Sequence, residues 1–352
     1  MIVIIPTRRE IKLSYLQPLI EAGARFIVID DTEGTIRMEH PQFRIFNWEH
    51  KRKIAGQYQA AFPGCNGACM SFGFYIAWKE ADDEEIVLTL GDDCQIDKPD
   101  FASRLQNALA TRPRPVAQTP ARFINYVEMI EGIAPTVFTR GFPYFARPNH
   151  VPFVVGSPLD SSVAFNLGLF RNVQDINAID KIQGHSYTLP EARFKCDSVL
   201  VPKGKLLSVS SGNMQFRRRL IPAAYQLPMH FPICNDWVID RFGDIWGGFI
   251  LKSLMDKAGD GLSIGEPSVY HVLPGYMEQN IWKEHICNLV NDEFIALLDD
   301  SLSVVGPATY QEMIGSLSEA FRSRRDRCSP LLKPYILHLC GAWDAWLCAL
   351  NN

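Results

Sequence analysis

Residues 85–94 read Glu-Ile-Val-Leu-Thr-Leu-Gly-Asp-Asp-Cys, an apolar row that ends in two adjacent carboxylates, and this stretch decides the fold class. An unbroken apolar row predicts a strand covered on both faces, which is typical of parallel sheets flanked by helices. Open α/β sheets bind their ligands at the carboxyl ends of such strands. Asp92 and Asp93 are therefore predicted to lie at a ligand site and to hold a cation, although Gly91-Asp92-Asp93 also fits a simple turn.

The same pattern continues toward the N-terminus. Strands are predicted at residues 2–5 and 25–29, and helices at residues 12–22, 68–79 and 100–110. This alternation predicts an α/β fold with a mostly parallel central sheet. Polar residues follow the first two strands, so the substrate-binding candidates beside Asp92 are Thr7, Arg9, Asp30 and Asp31.

Composition excludes several protein classes. The chain has 352 residues, of which 47% are hydrophobic and 21% charged, as in ordinary globular proteins. A formal net charge of -4 provides no excess of positive charge for binding nucleic acid. The nine cysteines are scattered without paired spacing, which is typical of reduced thiols. The N-terminus lacks a signal-peptide pattern and no apolar run reaches about 18 residues, so a cytoplasmic protein without a transmembrane segment is expected.

Known nucleotide motifs are also absent from the sequence. Neither a G-x-G-x-x-G nor a Walker A segment is present, which argues against a dinucleotide-binding or P-loop protein. A nucleotide diphosphate bound without a glycine-rich loop needs another source of positive charge. A divalent metal on a strand-end aspartate pair supplies it, as in nucleotide-sugar enzymes.

Two arginines and an aspartate are further candidates on chemical grounds. Arg140 and Arg147 flank a Gly-Phe-Pro bend that could turn both guanidinium groups toward one anion, and a surface salt bridge is the alternative. Asp244 stands before a helical pattern, where it could orient sugar hydroxyls, act as a base or cap the helix. Trp246 could supply a flat apolar wall for a ligand.

Five separated segments resemble the reversibly glycosylated polypeptides, a family that includes the UDP-arabinopyranose mutases. The segments keep their order and approximate spacing from about residue 2 to His271. They are Ile4-Ile5-Pro6-Thr7, Leu88-Thr89-Leu90-Gly91-Asp92-Asp93-Cys94, Arg140-Gly141-Phe142-Pro143-Tyr144-Phe145-Ala146-Arg147, Val201-Pro202-Lys203-Gly204 and Arg241-Phe242-Gly243-Asp244-Ile245-Trp246-Gly247-Gly248.

The resemblance implies a GT-A-like fold that binds a UDP-sugar with Mn²⁺ or Mg²⁺ and interconverts the pyranose and furanose forms of the sugar. Arg140 matches the reversibly glycosylated arginine of the family, and Arg147 matches the second arginine of that motif. His271 would complete the metal site, and Asn213 matches an asparagine suited to bind the sugar.

The acidic motif departs from the family pattern at one position. The family has three consecutive aspartates, and Gly91 stands in the first place here. The metal ligands implied by the resemblance are therefore Asp92, Asp93 and His271. Because Mg²⁺ needs only one or two carboxylates besides phosphates, a site without the first aspartate could still bind metal.

The chain changes character after His271. Residues 280–298, 309–322 and 334–350 show helical periodicity, which predicts a catalytic domain at residues 1–275 and a helical extension at 276–352. Trp343 and Trp346 in the last helix indicate either core or a contact in a homo-oligomer or hetero-oligomer.

The favoured function is a UDP-sugar pyranose/furanose mutase with metal-bound UDP, a transiently glycosylated Arg140 and Asp244 as a second catalytic residue. One alternative is a GT-A glycosyltransferase that passes the sugar to an acceptor. The other is a non-catalytic UDP-sugar-binding partner subunit, which Gly91 favours because it removes a carboxylate.

Overall fold

The computed structural model describes residues 1–32, 34–62, 69–183, 188–234, 237–272 and 277–352. The strands are β1 Ile2–Thr7, β2 Arg25–Asp30, β3 Phe43–Phe46, β4 Ile86–Thr89, β5 Cys94–Gln95, β6 Arg112–Gln118, β7 Val154–Ser161, β8 Val163–Val173, β9 Thr188–Leu189, β10 Ser198–Leu200, β11 Met214–Arg217, β12 Phe231–Cys234, β13 Trp237–Ile239 and β14 Gly261–His271. The helices are α1 Gln17–Glu21, α2 Trp48–Ala55, α3 Met70–Glu80, α4 Phe101–Ala108, α5 Ala178–Ile182, α6 Gly243–Ala258, α7 Met277–Leu302, α8 Tyr310–Arg324 and α9 Lys333–Asn351.

One large sheet organises the molecule in the order β3-β2-β1-β4-β11-β8-β14-β10-β6-β7. The first four strands in this order are parallel, as the alternation of strands and helices predicts. Beyond β4 the sheet is mixed, because β11 is antiparallel to both of its neighbours and antiparallel pairs recur at β10–β14 and β6–β7. The prediction of a mostly parallel sheet is therefore wrong for this half. Antiparallel neighbours need no crossover helix, and the helical pattern used for the prediction covers only the first hundred residues.

Close packing of α3 on β1 and β2 fixes the strand ends that carry the polar residues. Ile2, Val3, Ile4 and Ile5 are at most 1% exposed, in agreement with a strand covered on both faces. A Cβ atom on Gly73 would lie 2.5 Å from Cγ2 of Ile4, so only glycine lets α3 approach this strand so closely. The carboxyl ends of β1, β2 and β4 consequently form one edge.

The C-terminal helices lie where their periodicity predicts and pack into the same core as the sheet. Trp343 and Trp346 have no exposed surface. The Trp346 indole contacts the rings of Phe62 and Tyr225, and its Nε1 donates to the carbonyl of Pro222 at 3.1 Å. These two tryptophans are thus core residues and cannot form an oligomer contact. The predicted domain boundary at 275 lies outside the described residues.

A helix that crosses a bilayer needs about 20 consecutive, mostly apolar residues. α7 has 26 residues, but charged side chains such as Lys283 and Glu284 recur along it. None of the described helices combines the length and the apolar character needed to cross a membrane.

Candidate active site

A cavity of about 380 Å³ lies at the carboxyl ends of β4 and β14. Four of the residues predicted from the sequence line it, namely Asp93, Arg140, Asp244 and His271. The other charged side chains in its wall, none of which was predicted as a site residue, are Arg8, Asp175, Asp240, Arg241 and Lys283. The carboxyl ends of β4 and β14 therefore border a concavity with several charged groups.

Arg140 is fixed at the centre of this charged wall. Its Nε donates to both carboxylate oxygens of Asp175 at 3.0 and 3.3 Å, and its Nη2 donates to Oδ2 of Asp244 at 2.7 Å. Nη1 donates to the carbonyl oxygen of Arg241 at 2.7 Å. Burial alone would lower the pKa of Arg140, but the charges of the two carboxylates outweigh it and raise that pKa well above its ordinary value. Arg140 is therefore a cation in the free protein.

Asp244 lies in the first turn of α6 and anchors a neighbouring loop. The helix begins at Gly243 and its N-cap is Phe242, so Asp244 is not the N-cap. A carboxylate in the first turn still interacts favourably with the helix dipole. Its Oδ2 accepts from Arg140, from the backbone N–H of Ser211 at 3.2 Å and from the Ser211 hydroxyl at 3.3 Å. Oδ1 accepts no hydrogen bond from the described residues, so it can bind a ligand.

Asp175 is the strongest site candidate that the sequence analysis missed. It follows the buried strand β8 by two residues, the same signal that selects Asp92 and Asp93, but β8 was not predicted. Burial would raise the pKa of Asp175, yet the Arg140 guanidinium lowers it to about 2. Asp175 is therefore an anion throughout the neutral range and holds one side of Arg140.

Arg241 supports Arg140 through its backbone. Its φ of 62° is left-handed, which is uncommon for a residue other than glycine and marks a conformation that the surroundings impose. In this conformation the carbonyl of Arg241 faces Arg140, and Nε of the Arg241 side chain donates to Oε1 of Glu284 at 3.2 Å. Because Glu284 belongs to α7, the C-terminal helical region takes part in holding the site.

Asp93 and His271 form a further pair in the wall of the cavity. Antiparallel pairing of β5 with β14 brings them together, and Nε2 of His271 lies 3.4 Å from Oδ2 of Asp93. The Nδ1 atom lies 3.0 Å from the carbonyl of Val173, which assigns the proton to Nδ1. Burial opposes the charged form of each group, but each partner outweighs it, so the pKa of Asp93 is lowered and that of His271 is raised.

The residues Thr7, Arg9 and Asp92 form a second cluster beside the cavity. Oδ2 of Asp92 accepts from the Thr7 hydroxyl at 2.8 Å and from Nε of Arg9 at 3.0 Å. Burial raises the pKa of Asp92 despite these contacts. Within the described ranges, no group of three His, Cys, Asp or Glu side chains could hold a metal ion. Asp92 therefore braces the turn after β1, whereas Asp93 faces His271.

Gly91 explains the position of Asp93. A Cβ atom at residue 91 would lie 2.7 Å from Oδ1 of Asp93, closer than real contacts allow. A third aspartate at this place would therefore displace the Asp93 carboxylate from its present position.

Asp30 and Asp31, at the end of β2, make local contacts. Asp30 is 2% exposed, and its carboxylate accepts from the backbone N–H groups of Thr32 at 2.8 Å and Ile36 at 3.3 Å. Asp31 pairs with Nη2 of Arg8 at 2.7 Å. Only Arg8 of this pair lines the cavity, so the structure does not bring either aspartate to it directly.

Three predicted substrate-binding residues lie away from the cavity. Arg147 pairs with the buried Asp180 at 3.0 Å, so the two motif arginines do not converge on one anion. Asn213 has no exposed surface, and its Nδ2 donates to two backbone carbonyls of the sheet region. Trp246 also has no exposed surface, because it stacks on Phe294 with ring centroids 4.2 Å apart. It is a core contact of α7 and not a ligand wall.

Comparison with known proteins extends the resemblance to the whole chain. The model of the family "Reversibly glycosylated polypeptide" matches residues 2–351. The chain is 26% identical to UDP-arabinopyranose mutase 1 of Arabidopsis thaliana over 355 residues, which cover 98% of this chain and 90% of the relative. It is also 26% identical to probable UDP-arabinopyranose mutase 1 of Pisum sativum, with 99% and 91% covered. UDP-arabinopyranose mutase 1 of Oryza sativa subsp. japonica is likewise 26% identical, with 98% and 88% covered.

The family match includes the C-terminal helices, which the motifs read from the sequence do not reach. Those motifs end at His271, whereas the match continues to residue 351.

Proposed function

The chain belongs to the reversibly glycosylated polypeptide family, and from this premise we propose that it is a UDP-sugar mutase that interconverts the pyranose and furanose forms of its sugar. The similar proteins from Arabidopsis thaliana and Oryza sativa carry the name UDP-arabinopyranose mutase, which supports the reaction class. The main support for the proposal is the position of Arg140, which pairs with Asp175 and Asp244 in the wall of the cavity.

A GT-A-like nucleotide-sugar fold is part of the same proposal. The parallel order β3-β2-β1-β4, with an acidic motif directly after β4, supports it. The cavity at these strand ends has both cations for a diphosphate and carboxylates for sugar hydroxyls. In this proposal Arg140 stabilises the negative charge that develops when the anomeric bond to UDP breaks. Fixed charges of this kind stabilise a transition state without reorganisation.

The covalent step assigned to Arg140 needs a base, and Asp244 is in place for it. Nη2 of Arg140 attacks the anomeric carbon, the carbon–oxygen bond to UDP breaks, and UDP leaves with the electron pair. The proton lost from Nη2 passes to the Asp244 carboxylate 2.7 Å away. Because the pKa of Arg140 lies so high, attack and proton transfer must coincide.

The sugar then changes ring form while it is attached to Arg140. The bond between the anomeric carbon and the ring oxygen breaks, and that oxygen takes a proton to become a hydroxyl. The oxygen of another sugar hydroxyl bonds to the same carbon and gives up its proton, which closes the ring in its other form. An oxygen of the UDP diphosphate then attacks the anomeric carbon. The bond to Nη2 breaks, and Arg140 takes its proton back from Asp244. No external acceptor enters this sequence, so every atom of the substrate is recovered in the product.

Asp93 and His271 would hold the metal of this proposal. Carboxylate and imidazole together suit Mn²⁺ better than Mg²⁺, because Mg²⁺ favours oxygen ligands. A bound divalent ion would neutralise charge on the diphosphate. Asp93 contributes an anionic oxygen, and the contact of Nδ1 with Val173 orients the His271 ring so that Nε2 faces Asp93.

Asp93→Asn is expected to weaken Mn²⁺ binding at least about tenfold, because it removes the charged oxygen that faces the cavity. Asp92→Asn is its matched control and should change Mn²⁺ affinity much less, since Asp92 contacts Thr7 and Arg9. Titration of Mn²⁺ in the presence of UDP, followed by electron paramagnetic resonance, measures both. Equal losses in the two variants would contradict the assignment.

Product analysis tests the function itself. Purified protein is incubated with UDP-arabinopyranose, and separately with UDP-galactopyranose, with Mn²⁺ and without acceptor. The expected result is a furanose nucleotide sugar, resolved by chromatography, that disappears in the Asp244→Asn variant. Free sugar with UDP would instead favour a glycosyltransferase that lacks its acceptor. Unchanged substrate despite UDP binding would favour a partner subunit without catalysis.

A further inference from the structure

We propose that the Lys283 ammonium, which helix α7 brings to the substrate cavity, binds the diphosphate of the nucleotide sugar. The inference rests on the UDP-sugar function proposed above and adds a substrate contact from the C-terminal helices. Lys283 lines the cavity together with Arg140 and Asp244, although it lies far from both in sequence.

Lys283 differs from the other cations of the cavity in having no partner in the part of the chain that the structure describes. Among the described residues, five cationic side chains line the cavity when His271 is included. Four of them have a carboxylate partner: Arg8 pairs with Asp31, Arg140 with Asp175 and Asp244, Arg241 with Glu284, and His271 with Asp93. Lys283 forms neither an ion pair nor a hydrogen bond with any described residue, so its charge is available to a ligand.

Among the described residues that line the cavity, the pairing of the other charges leaves the Lys283 ammonium for an anionic ligand. Its four aspartates, Asp93, Asp175, Asp240 and Asp244, already face the paired cations or the backbone. A diphosphate adds negative charge that those paired cations do not offset fully. Lysine is a common phosphate ligand because its ammonium is a compact charge on a flexible stem. Lys283 supplies the additional positive charge.

Helix α7 is held firmly enough to present this lysine. The neighbouring Glu284 has a side chain only 2% exposed and pairs with Arg241. Two turns further along, Asn291 accepts a hydrogen bond from Nε1 of Trp246 at 2.9 Å, and Phe294 stacks on the same indole. Trp246 belongs to α6, whose first turn carries Asp244. α7 is therefore fixed to the helix that bears a catalytic candidate.

Binding of UDP and uridine to the full chain, measured by calorimetry, tests the inference. Lys283→Ala is expected to weaken UDP binding by about tenfold or more, the usual effect of a charge-assisted contact. Uridine lacks the diphosphate, so its affinity should not change. Lys283→Arg should retain most of the UDP affinity, and the deficit of the alanine variant should shrink at high salt.

Lys257 provides the matched control. It lies in the last turn of α6, at the opposite end of that helix from Asp244, and Lys257→Ala should bind UDP like the unaltered chain. If Lys283→Ala binds UDP normally, or loses uridine and UDP equally, the inference is overturned while the proposed function stands. If the unaltered chain binds no UDP, the proposed function falls together with the inference.

Discussion

Arg140→Lys is expected to lower kcat/KM for furanose formation by about 10²- to 10³-fold, the usual effect of removing a donor that stabilises transition-state charge. Lysine keeps the positive charge, but it cannot donate to Asp175, Asp244 and the Arg241 carbonyl in the fixed fork that the guanidinium provides. It also removes the Nη2 atom to which the sugar is proposed to attach. Product analysis at several substrate concentrations measures the loss.

A matched substitution separates this effect from a general response to losing an arginine. Arg44 pairs with Glu80 on the surface, where its side chain is 52% exposed, so Arg44→Lys should leave activity unchanged. UDP affinity of Arg140→Lys should fall less than kcat/KM, because the substitution acts mainly on the transition state. Full activity in Arg140→Lys would rule out every role that needs the guanidinium group, including attachment of the sugar to Nη2.

The parallel half of the sheet, and the two aspartates at the end of β4, could be predicted from the sequence for a simple physical reason. Buried parallel strands are continuous apolar rows, and the polar residues that end them stand next to them in the chain. The prediction of Asp92 and Asp93 at a strand end needs only this local signal. The mixed half of the sheet was not readable in this way, because pairing of β11 with β4 joins residues more than a hundred positions apart.

The site illustrates the same limit. Arg140 and Asp244 could be predicted from their motifs, but Asp175, which pairs with Arg140 in the cavity wall, follows a strand that was not predicted. Trp246 stands in the same motif as Asp244, yet successive helical residues point in different directions, and it faces Phe294 in the core. A motif therefore identifies the segment of a site, while the helix period decides which of its side chains reaches the ligand.

Arg140→Met is expected to lower the free energy of unfolding by about 3–5 kcal/mol at neutral pH, because it leaves the carboxylates of Asp175 and Asp244 without their cation. Urea unfolding followed by circular dichroism measures the change. Adding Asp175→Asn to this variant should restore part of the stability, since one uncompensated charge disappears. On its own, Asp175→Asn should destabilise the protein, so the two substitutions are non-additive. Arg44→Met at the surface should cost at most about 1 kcal/mol.

The dependence on pH distinguishes lost charge pairing from lost packing. In the unaltered protein the pKa of Asp175 is about 2, below its ordinary value, so its stabilising contribution is complete above that ordinary value and is lost as pH falls toward 2. In Arg140→Met, burial without a cation should raise the pKa of the same carboxylate, which then takes up a proton as pH falls. The stability difference between the two proteins should therefore be largest near about pH 7 and shrink toward about pH 4. A difference that stays constant over this range would mean that Arg140 acts through packing, and the charge argument for the site would fail.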